Sequence, residues 1–273
     1  MKYLSVCSGI EAATVAWRHM GWQPVGFSEI EKFPSQVLAH HYPDVPNLGD
    51  MTNYKEWDIG SIDVLVGGTP CQSFSVAGLR KGLDDPRGNL ALVYCGILDH
   101  FRPKWFVWEN VPGVLSSAGG RDFGSFLGAL AELGYGFAYR VLDGQWFGVA
   151  QRRRRVFVVG CLGDWRGAAA VLFESKSLRW DTEKNSARAT YPCLQTTAND
   201  YSRADGFVCI EHGDNWRRIT PAEAERLQGF PDGYTEIKSP TPDDPRFKAL
   251  GNSMAVPVMK WIGEGIDDVH SLG

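Results

Sequence analysis

The stretch Asp63-Val64-Leu65-Val66-Gly67-Gly68-Thr69-Pro70-Cys71-Gln72 runs from an apolar segment into two glycines and then a thiol. A short apolar run bounded by turn residues predicts a buried strand, and its abrupt stop places Cys71 at the carboxyl end of that strand. Ligands of open α/β sheets collect outside the carboxyl ends of the strands, and a cysteine on such a loop is exposed enough to react. Cysteine is equally a small residue that cores bury, so these ten residues leave Cys71 as either a nucleophile or packing.

Working outward, Tyr3 to Cys7, Val25 to Phe27, Trp105 to Trp108, Tyr139 to Leu142 and Val156 to Val159 repeat the strand pattern. Helical patterns fall between them at Glu11 to Met20, Lys32 to His40, Leu90 to Phe101 and Phe123 to Leu133. This alternation predicts an α/β fold, a doubly wound and mostly parallel sheet with helices on both faces. After Cys161 the pattern weakens, and residues 163–205 predict a small irregular second domain or a long insertion. Thr220-Pro221-Ala222-Glu223 combines an N-cap, a proline at the first helical position and a capping-box acid, which predicts a helix to Gln228 ended by Gly229. Pro240, Pro242 and Pro245 then predict a stiff connector, with the final helix following Pro257.

With 273 residues, 44% hydrophobic and 22% charged, the chain has the composition of a soluble globular protein. No run approaches the roughly 20 apolar residues that span a bilayer, and Met1-Lys2-Tyr3 leads into a strand rather than a signal peptide. The expectation is a cytoplasmic protein with no membrane partner. Six cysteines, at 7, 71, 95, 161, 193 and 209, form no C-x-x-C pair, which argues against a zinc site or a disulfide framework. No metal is expected. The net charge of -4 hides a division: residues 1–150 carry 11 basic and 15 acidic groups, 151–220 carry 12 and 8, and 221–273 carry 5 and 9. The middle segment is therefore +4 between two segments of -4, as either a phosphate-facing surface or an ordinary solvated face.

Three further segments carry candidate chemistry. Ser8-Gly9-Ile10-Glu11 joins the first strand to the first helix, where backbone N–H groups favour a nucleotide-like ligand, although a plain turn explains Gly9 as well. Glu29 stands where an acid reaches ribose hydroxyls at the end of the second strand. Trp108-Glu109-Asn110-Val111 ends another apolar strand with a carboxyl group on the Cys71 edge, able to donate a proton if partly desolvated and otherwise a loop cap. In Gln151-Arg152-Arg153-Arg154-Arg155, extended backbone turns Arg153 and Arg155 to one face and Arg152 and Arg154 to the other. Entry into a buried strand is an expensive place for four arginines unless one pair meets polar or anionic partners.

In order, Ser8-Gly9, Pro70-Cys71-Gln72, Glu109-Asn110-Val111, Gln151-x-Arg153-x-Arg155, Arg226-Leu227-Gln228-Gly229-Phe230-Pro231-Asp232 and Gly251-Asn252-Ser253 span most of the chain. This series resembles the DNA cytosine carbon-5 methyltransferases, in particular compact bacterial and phage forms. The resemblance implies a Rossmann-like S-adenosylmethionine-dependent fold, with residues 1–165 and 250–273 as the catalytic domain and 166–249 as target-recognition domain and connector. It also implies Cys71 adding as thiolate to carbon 6 of a cytosine flipped out of double-stranded DNA, because a stacked ring cannot be approached from its face. By the same resemblance Glu109 holds ring nitrogen 3 and the exocyclic amine, Arg155 with Arg153 stabilises oxygen 2 and the catalytic geometry, and Gln72, Ser75, Asn110 and Gln151 serve the loop and substrate side.

For S-adenosylmethionine the resemblance implies Cys7, Gly9, Ile10 and Glu11 at the first turn, Glu29 on the ribose, Asp50 near the adenine, and Pro70, Leu90, Asn252 and Ser253 completing the cradle. A monomer is expected. Three departures stand out: Ser5-Val6-Cys7-Ser8-Gly9 where the family reads Asp-x-Phe-x-Gly, Ala150 where Pro often precedes the glutamine, and Cys193-Leu194 where Thr-Leu is common. Gln195, Asn199, Tyr201 and Arg203 are candidates for base contact in the irregular segment. A relative that methylates transfer RNA and a non-catalytic DNA-binding protein on the same scaffold are the alternatives. No Asp/Asn-Pro-Pro-Tyr/Phe segment of the amino-methylating enzymes occurs.

Overall fold

A computed structural model of the chain describes residues 1–70, 90–173, 193–194, 209–212 and 215–272. Its central sheet contains β1 (Lys2–Val6), β2 (Gln23–Ser28), β3 (Val64–Gly67), β4 (Trp105–Asn110), β5 (Tyr135–Asp143) and β6 (Arg154–Leu162), in the order β2-β1-β3-β4-β6-β5. A separate antiparallel pair joins β7 (Cys209–His212) to β8 (Asn215–Arg218). The helices are α1 (Ala12–Trp17), α2 (Lys32–His41), α3 (Leu90–Phe101), α4 (Arg121–Glu132), α5 (Trp165–Phe173), α6 (Pro221–Gln228), α7 (Asp243–Asn252) and α8 (Val256–Ser271).

Every residue of β3 and β4 is buried, as strands covered on both faces must be, which is why they read as unbroken apolar runs. Alternation divides their side chains between two cores. Tyr3, Val64, Val66, Trp105 and Val107 pack with α1, α5 and α8, whereas Leu4, Val6, Leu65, Phe106 and Trp108 pack with α3 and α4. The carboxyl terminus is bound into the first layer: the Trp17 indole donates to the Met259 carbonyl at 2.8 Å and that of Trp22 to Asp267 at 3.1 Å.

Strands β1 to β4 are parallel to their neighbours, as the sequence pattern predicts, but β6 runs antiparallel to both β4 and β5. Residues 144–153, the link between β5 and β6, hold only the 3-10 turn Gly144–Phe147 and are too few for a helical crossover. The reversal makes β6 start where β4 ends, with Val156 paired to Asn110 and Phe157 to Glu109. In a parallel strand the arginine run would have opened at the opposite edge of the sheet.

Two other segments depart from the sequence reading. Within the stretch read as irregular, α5 forms because Asp164 caps it, accepting from the amides of Arg166 at 2.9 Å and Gly167 at 3.1 Å ahead of an alanine run. The expected connector contains α7, since Pro245 lies in the first turn of a helix, where an amide has no partner to lose. The predicted α6 forms with its full capping box on Thr220 and Glu223 and a left-handed Gly229.

Candidate active site

A cleft of about 720 Å³ opens along the edge where β1 to β4 end and β6 begins. One end is shaped by the turn after β1, where Cys7, Gly9 and Glu11 all take positive φ, at 49°, 57° and 67°. This coiling turns the Gly9 N–H toward the end of β2, where it donates to Glu29 Oε2 at 2.8 Å; the Glu31 amide, just past β2, donates to Glu29 Oε1 at 2.7 Å. Tyr234, from the segment between α6 and α7, ties the turn down by donating its hydroxyl to the Ile10 carbonyl at 2.9 Å. Asp50 caps the following 3-10 turn through the Thr52 amide at 2.9 Å.

Two groups at this end bind their protons more tightly than they would in water. Burial, and then the charges of Glu29 and Asp50, push the Cys7 thiol up to about 12, so it contributes to the wall as a neutral group beside Met51. Burial pushes Glu11 up to about 7, against the opposing hydrogen bonds of Ser5 and Thr14. Glu11 is 1% exposed. Its Oε1 accepts from the Thr14 amide at 3.2 Å, and its Oε2 has no hydrogen-bond partner among the described residues.

At the other end, the backbone leading to Cys71 is fixed by β4. The Trp108 indole donates to the Thr69 hydroxyl at 3.0 Å, and Asn110 donates its side-chain amide to the Thr69 carbonyl at 2.9 Å. A side chain could not be added to either glycine before Thr69 without displacement. A Cβ on Gly67 would lie 2.5 Å from the Val6 carbonyl oxygen, and one on Gly68 would lie 2.9 Å from Glu109 Oε2.

Glu109 is 9% exposed, and its Oε1 lies 3.1 Å from Arg155 Nε. Burial raises its pKa, opposed first by Arg155 and then by Arg153, so the pair holds a carboxyl that binds its proton more tightly than one in water. Arg153 and Arg155 do different work. Arg153, 3% exposed, donates Nη2 to the carbonyls of Gly251 at 3.0 Å and Ser253 at 2.7 Å, and thereby fixes the end of α7 against the cleft. Arg152 and Arg154 are exposed, as the alternation predicts. Gln151 is fully buried and joins two distant segments, accepting from the Leu194 amide and donating to the Leu227 carbonyl, each at 2.8 Å. Cys193 lies 3.3 Å from Arg153 Nη1.

The cleft wall thus brings together Cys7, Gly9, Glu29, Asp50, Pro70, Leu90, Glu109, Asn110, Arg153, Arg155 and Asn252. Ser253 and Glu11 line a smaller recess beside it, and Ile10 is buried behind the turn. Cys71, Gln72, Ser75, Gln195, Asn199, Tyr201 and Arg203 lie outside the described residues. Sequence reasoning missed Thr69, Tyr234 and Ile30, the last a 74% exposed apolar residue in the wall next to Glu29. An isoleucine directly after the strand-ending acid was the available signal. No cluster able to hold a metal occurs among the described residues, and none of their helices is long and apolar enough to cross a membrane.

Residues 1–190 and 173–268 match the C-5 cytosine-specific DNA methylase family. The chain belongs to that family. Among its relatives, the type II methyltransferase M.SsoII of Shigella sonnei is 32% identical over 305 residues, covering 97% of this methylase and 79% of the relative. A protein of Escherichia phage P1 named DNA N-6-adenine-methyltransferase is 33% identical over 458 residues; the methylase aligns over 97% of its own length and spans 61% of that protein's. The crystal structure of S. pombe Dnmt2 methyltransferase superposes with a TM-score of 0.76 over 98% of both chains at 18% identity, a likeness of fold. C-5 DNA methylases use S-adenosylmethionine as methyl donor. The site fits it: the cleft has the size of a cofactor pocket, and Glu29 and Asp50 offer acceptors at one end.

Proposed function

We propose that this methylase transfers a methyl group to carbon 5 of a cytosine flipped out of a specific duplex DNA sequence, through a covalent adduct on Cys71. The observation that carries this reading is the pairing of Glu109 with Arg155 at the cleft rim, on the edge that also holds Thr69 and Pro70, the residues that precede Cys71 in the sequence. S-adenosylmethionine, when bound, supplies an electrophilic methyl group. Glu109, whose protonated form burial favours, donates a proton to ring nitrogen 3 as the Cys71 thiolate forms a bond to carbon 6. Electron density released onto carbon 5 then takes the methyl group. A base removes the carbon-5 proton, the carbon–sulfur bond breaks, and nitrogen 3 returns its proton to Glu109. Arg155 orients the Glu109 carboxyl and offers donors to oxygen 2, and Arg153 acts as a positioning residue through Gly251 and Ser253.

Target recognition falls to residues 166–249, in keeping with the basic balance of 151–220. Action as a monomer in the cytoplasm is in keeping with a site built within one chain and with a DNA substrate and S-adenosylmethionine as methyl donor. The name of the phage P1 relative describes amino methylation, but this chain lacks the Asp/Asn-Pro-Pro-Tyr/Phe segment and carries the ordered blocks of the carbon-5 chemistry. Bisulfite sequencing of DNA from cells expressing the protein tests activity and target together, expecting protected cytosines in one motif. Labelled methyl transfer by Cys71→Ala protein at an undiminished rate would overturn the covalent mechanism. Incorporation into transfer RNA but not into duplex DNA would redirect the substrate.

A further inference from the structure

The run from Arg152 to Arg155 holds four guanidiniums, and the proposed chemistry uses only two of them. Arg153 and Arg155 stand in the cleft wall, held by the Gly251 and Ser253 carbonyls and by Glu109. Arg152 and Arg154 are exposed, and among the described residues neither side chain has an ion-pair or hydrogen-bond partner. By contrast, the exposed Arg102 and Arg226 pair with Asp99 and Asp232. Asp143, which β5 sets opposite Arg154, is already occupied: it accepts from the Arg153 amide at 2.9 Å and from the Gln145 side chain at 2.8 Å. The backbone under the two free arginines is fixed on both sides. Gln151 is tied to Leu194 and Leu227, the Gly144 amide donates to the Arg153 carbonyl at 3.0 Å, and Arg155 Nη1 donates to the Arg154 carbonyl at 2.8 Å.

We propose that Arg152 and Arg154 grip two phosphates of the duplex DNA backbone beside the flipped cytosine, while Arg153 and Arg155 serve the cleft. This rests on the DNA reading given above. Each of the two is the direct chain neighbour of a cleft-wall arginine, and one residue of chain spans at most about 3.6 Å, so a strand that brings a base to Glu109 and Arg155 runs past both. Phosphates suit them by charge and by shape, because a guanidinium offers a planar fork of donors to an oxyanion and keeps its charge at any working pH. Free cations interleaved with engaged ones also repel: Arg155, after burial, already lowers the pKa of Arg153, and a polyanion along the exposed pair offsets that repulsion. An extruded nucleotide turns about its own backbone, so anchored phosphates beside it keep the turned base aligned with the cleft. Such contacts fix register and carry no sequence information, which leaves base reading to other residues.

The test is the salt dependence of binding of the full chain, with S-adenosylhomocysteine present, to short mixed-sequence DNA duplexes, read by fluorescence anisotropy. Wild type is compared with Arg152→Gln, Arg154→Gln, the double variant, the two Arg→Lys variants and Arg166→Gln. Arg166 is exposed past the end of β6, on the opposite edge of the sheet, and controls for net charge. Each lost phosphate contact should lower the slope of log affinity against log salt by about 0.9, so the advantage of wild type over the double variant should shrink about tenfold between about 50 and 200 mM salt. The loss should be the same on duplexes of different sequence, the lysine variants should keep the slope, and Arg166→Gln should leave it unchanged. Calorimetric titration of S-adenosylhomocysteine without DNA should give one affinity for all these proteins, which shows that the variants fold. A double variant with the wild-type slope, or an equal fall in Arg166→Gln, would overturn the inference while the DNA reading stands. A fall on transfer RNA with none on duplex DNA would assign the pair to RNA and overturn it too. Wild-type protein that binds no duplex at any of these salt concentrations would overturn the DNA reading itself, and this inference with it.

Discussion

Arg155 Nε meets Glu109 Oε1 at 3.1 Å across a junction that exists only because β6 is antiparallel to β4. The contact brings a residue from the start of one strand to a residue near the end of another. A carboxyl buried this far would hold its proton more firmly still without the guanidinium, so the pair sets a balance between a proton donor and an ion pair.

The balance predicts a pH signature. As proton donor, Glu109 acts while protonated, so turnover falls as pH rises through its raised pKa. Arg155 is the foremost influence lowering that pKa. In Arg155→Gln protein the alkaline limb of kcat/KM should move to higher pH, while the rate falls by about a hundredfold or more through loss of geometry. Measurement of kcat/KM against pH for both proteins checks this; an unmoved limb would remove Glu109 from the proton-transfer role.

Gly68 should tolerate no side chain without cost to activity. An alanine Cβ there meets Glu109 Oε2 at 2.9 Å, the Glu109 carbonyl oxygen at 3.3 Å and Met254 Cε at 3.3 Å, the tightest of them the tip of a side chain that can shift. The fold therefore survives, at about 1–3 kcal/mol, whereas the Glu109–Arg155 register does not. Gly68→Ala protein is expected to retain S-adenosylhomocysteine binding and to lose more than tenfold in methyl transfer, read by parallel calorimetry and labelled-methyl assays.

Arg153 predicts the opposite distribution. Its guanidinium serves two carbonyls that bracket Asn252, a residue of the cleft wall, so its loss leaves buried acceptors unpaired and frees the end of α7. Arg153→Met keeps the stem but removes the donors to both carbonyls and should destabilise the protein by about 2–4 kcal/mol. Chemical denaturation and cofactor titration should both move, and a variant with unchanged cofactor affinity would detach Arg153 from the cradle.

These contacts mark how much was legible beforehand. Strands β1, β3 and β4 announce themselves as apolar runs stopped by Gly67 and Asn110, and the capping box at Thr220 and Glu223 states its helix outright. The direction of β6 is not in any periodicity; it follows from the length of the 144–153 link, which a strand-by-strand reading passes over. Arg153 reads as a substrate-facing charge because its partners are carbonyls near residue 252, and backbone groups leave no signature in sequence. Glu11 reads as a first-turn residue beside the cofactor, and only the fold shows that its carboxyl is buried within a turn of three left-handed residues.

That inward turn yields a prediction about the free protein. Glu11 has its pKa raised from 4.5 to about 7 by burial, so the folded state binds its proton more tightly than the unfolded chain does. Stability from this group is complete below the unfolded value and is lost as pH rises through the folded one, a window from about 4.5 to 7. The full shift bounds the loss at roughly 3.5 kcal/mol, using about 1.4 kcal/mol per unit. The facing groups are Tyr3 on β1, Tyr42 after α2, Tyr234 and Glu29. Burial pushes all three tyrosines upward, so they stay neutral across the window and leave the Glu29 carboxylate as the charged neighbour that opposes ionisation. Denaturant melts of wild-type and Glu11→Gln protein at pH 5 and pH 7.5 should therefore diverge, the wild type losing stability that the variant keeps. Parallel curves for the two proteins without ligand would show that Glu11 carries its charge, or sheds it, at no cost to the fold.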